Sequence, residues 1–248
     1  MISQDALYKV RNGICAIGYL TVPRNIYTQD PQSPYFKVVG TGFLLRETTV
    51  MTNRHVIDGL INQQEELGFP DDQRVIIFTA PRSGNGLQIV IRLIRRLTRL
   101  AEEELDIGFV EFNVGPEDQF EGIVPLNIQD KWTLPVGAPI AVSGYPYGHY
   151  MLQRNKRVYR WGPVVQQGYV SAISPFDLVV TPNEILLDVR TAEGMSGAPI
   201  FHPDTGVVIG IHHFGWEAAT ALGLPLVAEK VSEWLENYEK AWRSEPVT

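Results

Sequence analysis

The chain has 248 residues, 44% hydrophobic and 20% charged, with a formal net charge of -7. That is the composition of a globular protein with a sizeable core, and it lacks the basic footprint on which nucleic-acid binding leans. The single cysteine, Cys15, excludes an intramolecular disulfide, and no run approaches the ~20 apolar residues of a membrane-spanning helix.

From the amino end, Met1-Ile2-Ser3-Gln4-Asp5-Ala6 lacks a basic region followed by an apolar one, so no signal peptide is expected. With one cysteine this is consistent with a reducing, cytoplasmic setting. Strands are predicted at 13–20, 36–46, 48–52, 74–79, 87–94 and 107–112, because these runs are short, rich in β-branched residues and bounded by turn residues. Cys15 sits in the first of them as a small buried hydrophobe. A short helix is expected from Val56 to Gln64. Arg92, Arg95, Arg96 and Arg99 form the one basic cluster. Glu102, Glu103 and Glu104 follow at once, so it reads as a solvated strand edge and loop, with a docking patch as the alternative.

A second set of strands is predicted at 139–143, 157–161, 164–172, 185–190, 198–201 and 206–213. The 22 glycines and 17 prolines are scattered, as many short strands and turns require, and no repeat or linker interrupts them. After Pro225 the pattern changes. Val227, Val231, Trp234, Leu235, Tyr238 and Trp242 recur at helical spacing with charges opposite, which predicts a helix over 225–243. The chain's own pattern is thus all-β, of sandwich or barrel type, with a terminal helix.

Gly194-Met195-Ser196-Gly197-Ala198-Pro199-Ile200-Phe201 carries the most chemistry. It sets a serine in a glycine-flanked turn, where the backbone can take unusual angles and amides can face a ligand. A serine hydroxyl needs a base, and the base needs an orienting carboxylate. Val50-Met51-Thr52-Asn53-Arg54-His55 delivers a histidine at the end of an apolar run. Leu105-Asp106-Ile107-Gly108-Phe109-Val110 opens an alternating run with an aspartate.

In the order His55, Asp106, Ser196 the chain resembles the trypsin/chymotrypsin-like serine peptidases of bacterial type. Gly40-Thr41-Gly42-Phe43-Leu44 resembles the strand that precedes their histidine. Ser143-Gly144-Tyr145-Pro146, Gly168-Tyr169-Val170-Ser171 and Val207-Val208-Ile209-Gly210-Ile211-His212 resemble second-barrel segments in the right order. The resemblance implies two six-stranded antiparallel barrels, about 1–120 and 121–224, then a C-terminal helix of about 225–243 packed on the second barrel. It implies a serine endopeptidase that acts on protein or peptide substrates through an acyl-enzyme, with no cofactor and no metal. Ser196 would be the nucleophile, His55 the base and then the acid, and Asp106 the group that orients His55. The amides of Gly194 and Ser196 would form the oxyanion hole.

Departures from the family pattern carry expectations of their own. Met195 stands where many members have Asp or Asn, and no activation segment is visible. Activation by a newly cut amino terminus is therefore not expected, which leaves room for an activating protein partner. Asn53 and Arg54 replace the usual small residues before the histidine, and no PDZ-like segment is expected.

The family's substrate pocket maps onto Arg190, Thr191, Ala192 and Glu193 before the serine, and His212, His213, Phe214 and Gly215 after it. Val208 to His212 is similar to the matching strand of glutamyl endopeptidases. His212 and Thr191 could both donate to a carboxylate, which predicts an acidic residue at P1. Glu193 near the mouth opposes that, and a small or apolar P1 is the alternative. His213 falls where the family often has a serine bonded to the catalytic aspartate. A zinc site at His212 and His213 is disfavoured because neighbours on a strand point to opposite faces and no further ligands complete a set. An α/β-hydrolase is disfavoured by the spacing around Ser196. A catalytically silent interaction module on the same fold is the rival of another class.

Overall fold

The computed structural model describes residues 1–29, 35–82, 86–100, 105–114, 122–146, 153–154, 157–158, 163–175, 182–216 and 220–243. Six strands, β1 (Ile14–Leu20), β2 (Phe36–Arg46), β3 (Thr49–Thr52), β4 (Arg74–Arg82), β5 (Gly86–Arg99) and β6 (Gly108–Phe112), close into a barrel in the order β1-β2-β3-β6-β5-β4. β7 (Pro139–Gly144) begins a second barrel. β8 (Gln153–Arg154) and β9 (Arg157–Val158) form a separate two-stranded ribbon. β10 (Val164–Ser174), β11 (Glu184–Leu187), β12 (Pro199–Phe201), β13 (Val208–Trp216) and β14 (Thr220–Pro225) complete the second barrel in the order β10-β11-β14-β13-β12-β7. This is the double antiparallel barrel that the family resemblance implies. Helices α1 (Gln4–Gly13), α2 (Arg24–Gln29), α3 (Arg54–Leu67) and α4 (Ala228–Arg243) lie outside the sheets. Among the described residues no helix is long and apolar enough to cross a membrane.

β1 shows why the strands hold. All seven of its residues are buried, and they split by alternation. Cys15, Ile17 and Tyr19 join one apolar cluster with Val50, Ile76 and Phe78. Ile14, Ala16 and Leu20 join another that spans both barrels through Phe43, Phe109, Phe201 and Val208. A strand buried on both faces needs a continuous apolar run, and Ile-Cys-Ala-Ile-Gly-Tyr-Leu is one. Burial pushes the Cys15 thiol pKa up, so this cysteine is an inert core side chain. A third cluster, with Ile140, Val142, Ile185, Met195 and Ile200, belongs to the second barrel.

Several elements depart from the sequence reading. The stretch expected as a barrel strand at 157–161 pairs only at 157–158, with β8, and its remainder lies outside the described residues. The sixth stave is β14 instead. Thr220-Ala221-Leu222-Gly223-Leu224-Pro225 has one β-branched residue, a glycine and a proline, so its local strand signal is weak. It is held because β11 and β13 pair with it on either side, Ile185 opposite Gly223 and Gly210 opposite Pro225. Pro225 therefore belongs to the barrel, and the helix begins at Ala228 rather than 225.

The helix α1 was not expected. Ser3 caps it by accepting from Ala6 N at 3.1 Å, and Ala6 and Val10 are buried. Nor does α4 serve the second barrel alone. Trp234, Leu235 and Tyr238 enter the cluster shared by both barrels, and the Tyr238 ring lies 5.8 Å from that of Phe109 on β6. The four arginines of the basic cluster all fall on β5, and Arg99 pairs with Asp58 of α3 at 2.5 Å.

Candidate active site

His55 is placed by the join between β3 and α3. Val56, Ile57 and Leu60 are buried and anchor the first turns of the helix, each contributing about 1.5–3 kcal/mol. The first amides of a helix have no partner within it. Asp106 supplies one: its Oδ1 accepts from His55 N at 3.0 Å, while its Oδ2 lies 2.7 Å from His55 Nδ1. Asn53 Nδ2 donates to the Asp106 carbonyl at 2.8 Å and locks the backbone behind the carboxylate. One carboxylate thus caps α3 and fixes the imidazole, with Nδ1–H as donor and Nε2 left free to accept. The His55 side chain is 48% exposed and that of Asp106 28%.

Ser196 comes from a turn of the second barrel. Met195 N donates to Ala192 O at 3.0 Å, and Gly194 has φ 93, the arrangement of a type II turn with glycine at its third residue. Met195 is fully buried. Gly197 follows with φ 86, and a Cβ there would lie 2.0 Å from Thr41 O and 2.4 Å from Thr52 Oγ1. No residue with a side chain fits that approach. Among the described residues the amides of Gly194 and Ser196 donate to no protein acceptor.

Thr41 on β2 joins the two halves. Its amide donates to Ser196 O at 2.8 Å, and its hydroxyl donates to Gly194 O at 2.7 Å and accepts from Tyr145 N at 3.0 Å. Its carbonyl accepts from Thr52 Oγ1 at 2.7 Å. The sequence reading quoted Thr41 only as part of a strand motif and missed this role, for which no local signal exists.

A single cleft between the barrels is lined by His55, Asp106 and Ser196. Thr191, Glu193, His212, His213, Phe214 and Gly215 line it too. His212 and His213 were expected on opposite faces of their strand. A bulge at His213, between the pairs His212–Gly223 and Phe214–Leu222, breaks the alternation and turns both to the cleft.

His212 is 2% exposed, and neither ring nitrogen has a hydrogen-bond partner. Burial, with the nearby His213 adding to it, lowers its pKa to about 4, so the imidazole is neutral at neutral pH. A Cβ on Gly215 would lie 2.0 Å from Thr191 Oγ1 and 3.7 Å from His212 Nε2, so both polar groups converge on that point. His213 Nδ1 lies 4.0 Å from Asp106 Oδ2, and its Nε2 lies 3.4 Å from Glu184 Oε1 on β11. Glu184 was not singled out from the sequence, since it stands in no motif.

A family model for the trypsin-like peptidase domain matches residues 40–211. The chain belongs to the trypsin-like peptidase family. The matched span runs from Gly40 to Ile211 and so contains His55, Asp106 and Ser196. Among solved structures, the trypsin-like chain is similar to an inactive serine-to-alanine mutant form of Rv3671c from M. tuberculosis H37Rv. The TM-score is 0.56 at 16% identity, over 100% of this chain and 95% of that one. At that identity the likeness speaks for the fold alone. No curated protein matches the chain.

Proposed function

We propose that this trypsin-like chain is a serine endopeptidase with Ser196 as nucleophile, His55 as general base and acid, and Asp106 as the orienting carboxylate. The observation that carries it is the 2.7 Å contact between His55 Nδ1 and Asp106 Oδ2 at the edge of the cleft that Ser196 lines. With Nδ1–H committed to Asp106, His55 Nε2 takes the Ser196 proton as Oγ attacks the scissile carbonyl. The open amides of Gly194 and Ser196 take the developing oxyanion. His55 then gives the proton to the leaving amine, and water releases the acyl group by the reverse steps.

The same reading assigns P1 to an acidic residue. An unpartnered buried imidazole costs about 1–3 kcal/mol, and a substrate carboxylate relieves that by accepting from His212 and from the Thr191 hydroxyl. Bonds to a charged group contribute about 1.5–3 kcal/mol each. The opposing Glu193 is exposed, where a like charge is screened and weighs about 1 kcal/mol or less. The donors in the pocket win. In the test, Ser196→Ala, His55→Ala and Asp106→Asn each lower turnover by about 10⁴- to 10⁶-fold without changing the fold, and a fluorophosphonate labels only chains that keep Ser196. Among matched peptides with Glu, Asp, Ala, Leu or Arg at P1, Glu is cut fastest. Cleavage by Ser196→Ala at the wild-type rate overturns the mechanism, and preference for Leu or Arg overturns the acidic pocket.

A further inference from the structure

A second cavity, of about 680 Å³, opens beside the cleft of Ser196 and shares only Asp106 and His213 with it. Its other walls come mainly from β11, the end of β14 and the first turns of α4. Leu105, Leu224 and Trp234 give it apolar surface, and Leu105 and Leu224 are only partly buried. Glu184, Glu229 and Glu233 give it charge.

The charges on this wall do not cancel. Glu229 and Glu233 are exposed and stand four residues apart on α4, where like charges disfavour one another. Among the described residues neither has an ion-pair partner. Glu184 Oε1 lies 3.4 Å from His213 Nε2, and burial lowers the pKa of that imidazole, so its carboxylate also keeps its charge. Lys230 is the one lysine on the wall, and it does not turn to the glutamates. Its Nζ lies 6.0 Å from the centre of the Trp234 ring, as a cation over an aromatic face does. The chain thus lays its own ammonium on the indole and leaves the neighbouring carboxylates open.

We propose that this cavity is an exosite for an arginine carried on another polypeptide. The guanidinium stacks on Trp234 in place of the Lys230 ammonium and meets Glu229 and Glu233, while apolar neighbours of the arginine lie on Leu105 and Leu224. A guanidinium suits the wall better than an ammonium, because it is planar, stacks on aromatic faces and forks to carboxylates. The volume falls within the ~300–1,000 Å³ of pockets that enclose a whole small ligand, so it takes the arginine with its neighbours. A net charge of -7 draws basic segments to the chain before they dock. The exosite lies outside the peptidase reading and does not depend on it.

The test measures binding of an acetylated, amidated Leu-Arg-Leu peptide by calorimetry at low ionic strength. The Ser196→Ala chain is used, so that no turnover consumes the peptide. Binding is saturable and one to one, and the same peptide with citrulline, the neutral isostere of arginine, does not bind. Glu233→Gln weakens binding about threefold, and Glu229→Gln together with Glu233→Gln about tenfold. Glu236→Gln removes the same charge from the same helix outside the cavity and leaves the Kd within about twofold. Lys230→Met frees the indole and tightens binding about threefold to fivefold. Four results overturn the exosite: no saturable binding, equal binding of the citrulline peptide, equal weakening by Glu236→Gln and Glu233→Gln, or weaker binding in Lys230→Met. Spermidine that binds as tightly as the peptide overturns the assignment to a polypeptide. If fluorophosphonate fails to label Ser196 in the wild type, the peptidase reading falls and these binding results stand unchanged.

Discussion

Thr41 contributes one hydroxyl, and that hydroxyl serves two main-chain groups of the second barrel, Gly194 O at 2.7 Å and Tyr145 N at 3.0 Å. Valine has the same shape and neither bond. In Thr41→Val both groups stay buried without a partner, at about 1–3 kcal/mol each. The variant should therefore lose about 2–4 kcal/mol of stability, read from the midpoint of urea unfolding, and should also label Ser196 more slowly, since Gly194 O anchors the turn that presents it. Loss of less than about 0.5 kcal/mol would mean that water replaces the hydroxyl. Gly197 works on the same seam from the other side, since a Cβ there would lie 2.0 Å from Thr41 O.

At the scale of elements, α1 ties the amino end to the second barrel. Ser3 N donates to Pro203 O at 3.0 Å and Ser3 Oγ to Asp204 O at 2.8 Å, while Ala6 and Val10 are buried. Met195, in the turn before the serine, is itself buried and offers no carboxylate to a free amino group. A chain cut to begin at residue 13 should thus lose stability, by at least the ~1.5–3 kcal/mol of burying Val10. It should show no gain in fluorophosphonate labelling. A shortened chain that labels faster than the intact one would show that α1 restrains the site.

For the whole molecule, His212 sets a pH dependence. Its pKa is lowered by burial from 6.5 to about 4 in the fold. In the unfolded chain it regains a value near 6.5. Between these values the unfolded state binds the extra proton, so stability rises with pH across the window. Acidification from about 6.5 to about 4 should remove about 3 kcal/mol, with His213 adding in the same direction, and the loss should level off below that. His212→Asn should flatten the slope of the urea midpoint over this range. A slope unchanged in the variant would assign the acid sensitivity to other groups.

Much of this architecture is written locally. The all-apolar run of β1 and the helical stripe of α4 specify elements from short-range pattern alone. In the order His55, Asp106, Ser196 the chain resembles the trypsin-like peptidases, and that resemblance implies one cleft. β14 was not legible, because its residues carry little strand preference and its place comes from two partners distant in sequence. α1 has its cap and its buried pair, yet a ten-residue helix is marginal alone, and here packing decides it. The facing of His212 and His213 hung on a bulge whose position depends on the register against β14, so alternation counted along the strand gave opposite faces. Local pattern determined most of the strands and the residue types at the proposed site. Only the tertiary structure decided which barrel seam closes at Thr41 and that Glu184 stands behind His213, because those contacts join residues 153 and 29 positions apart in the chain.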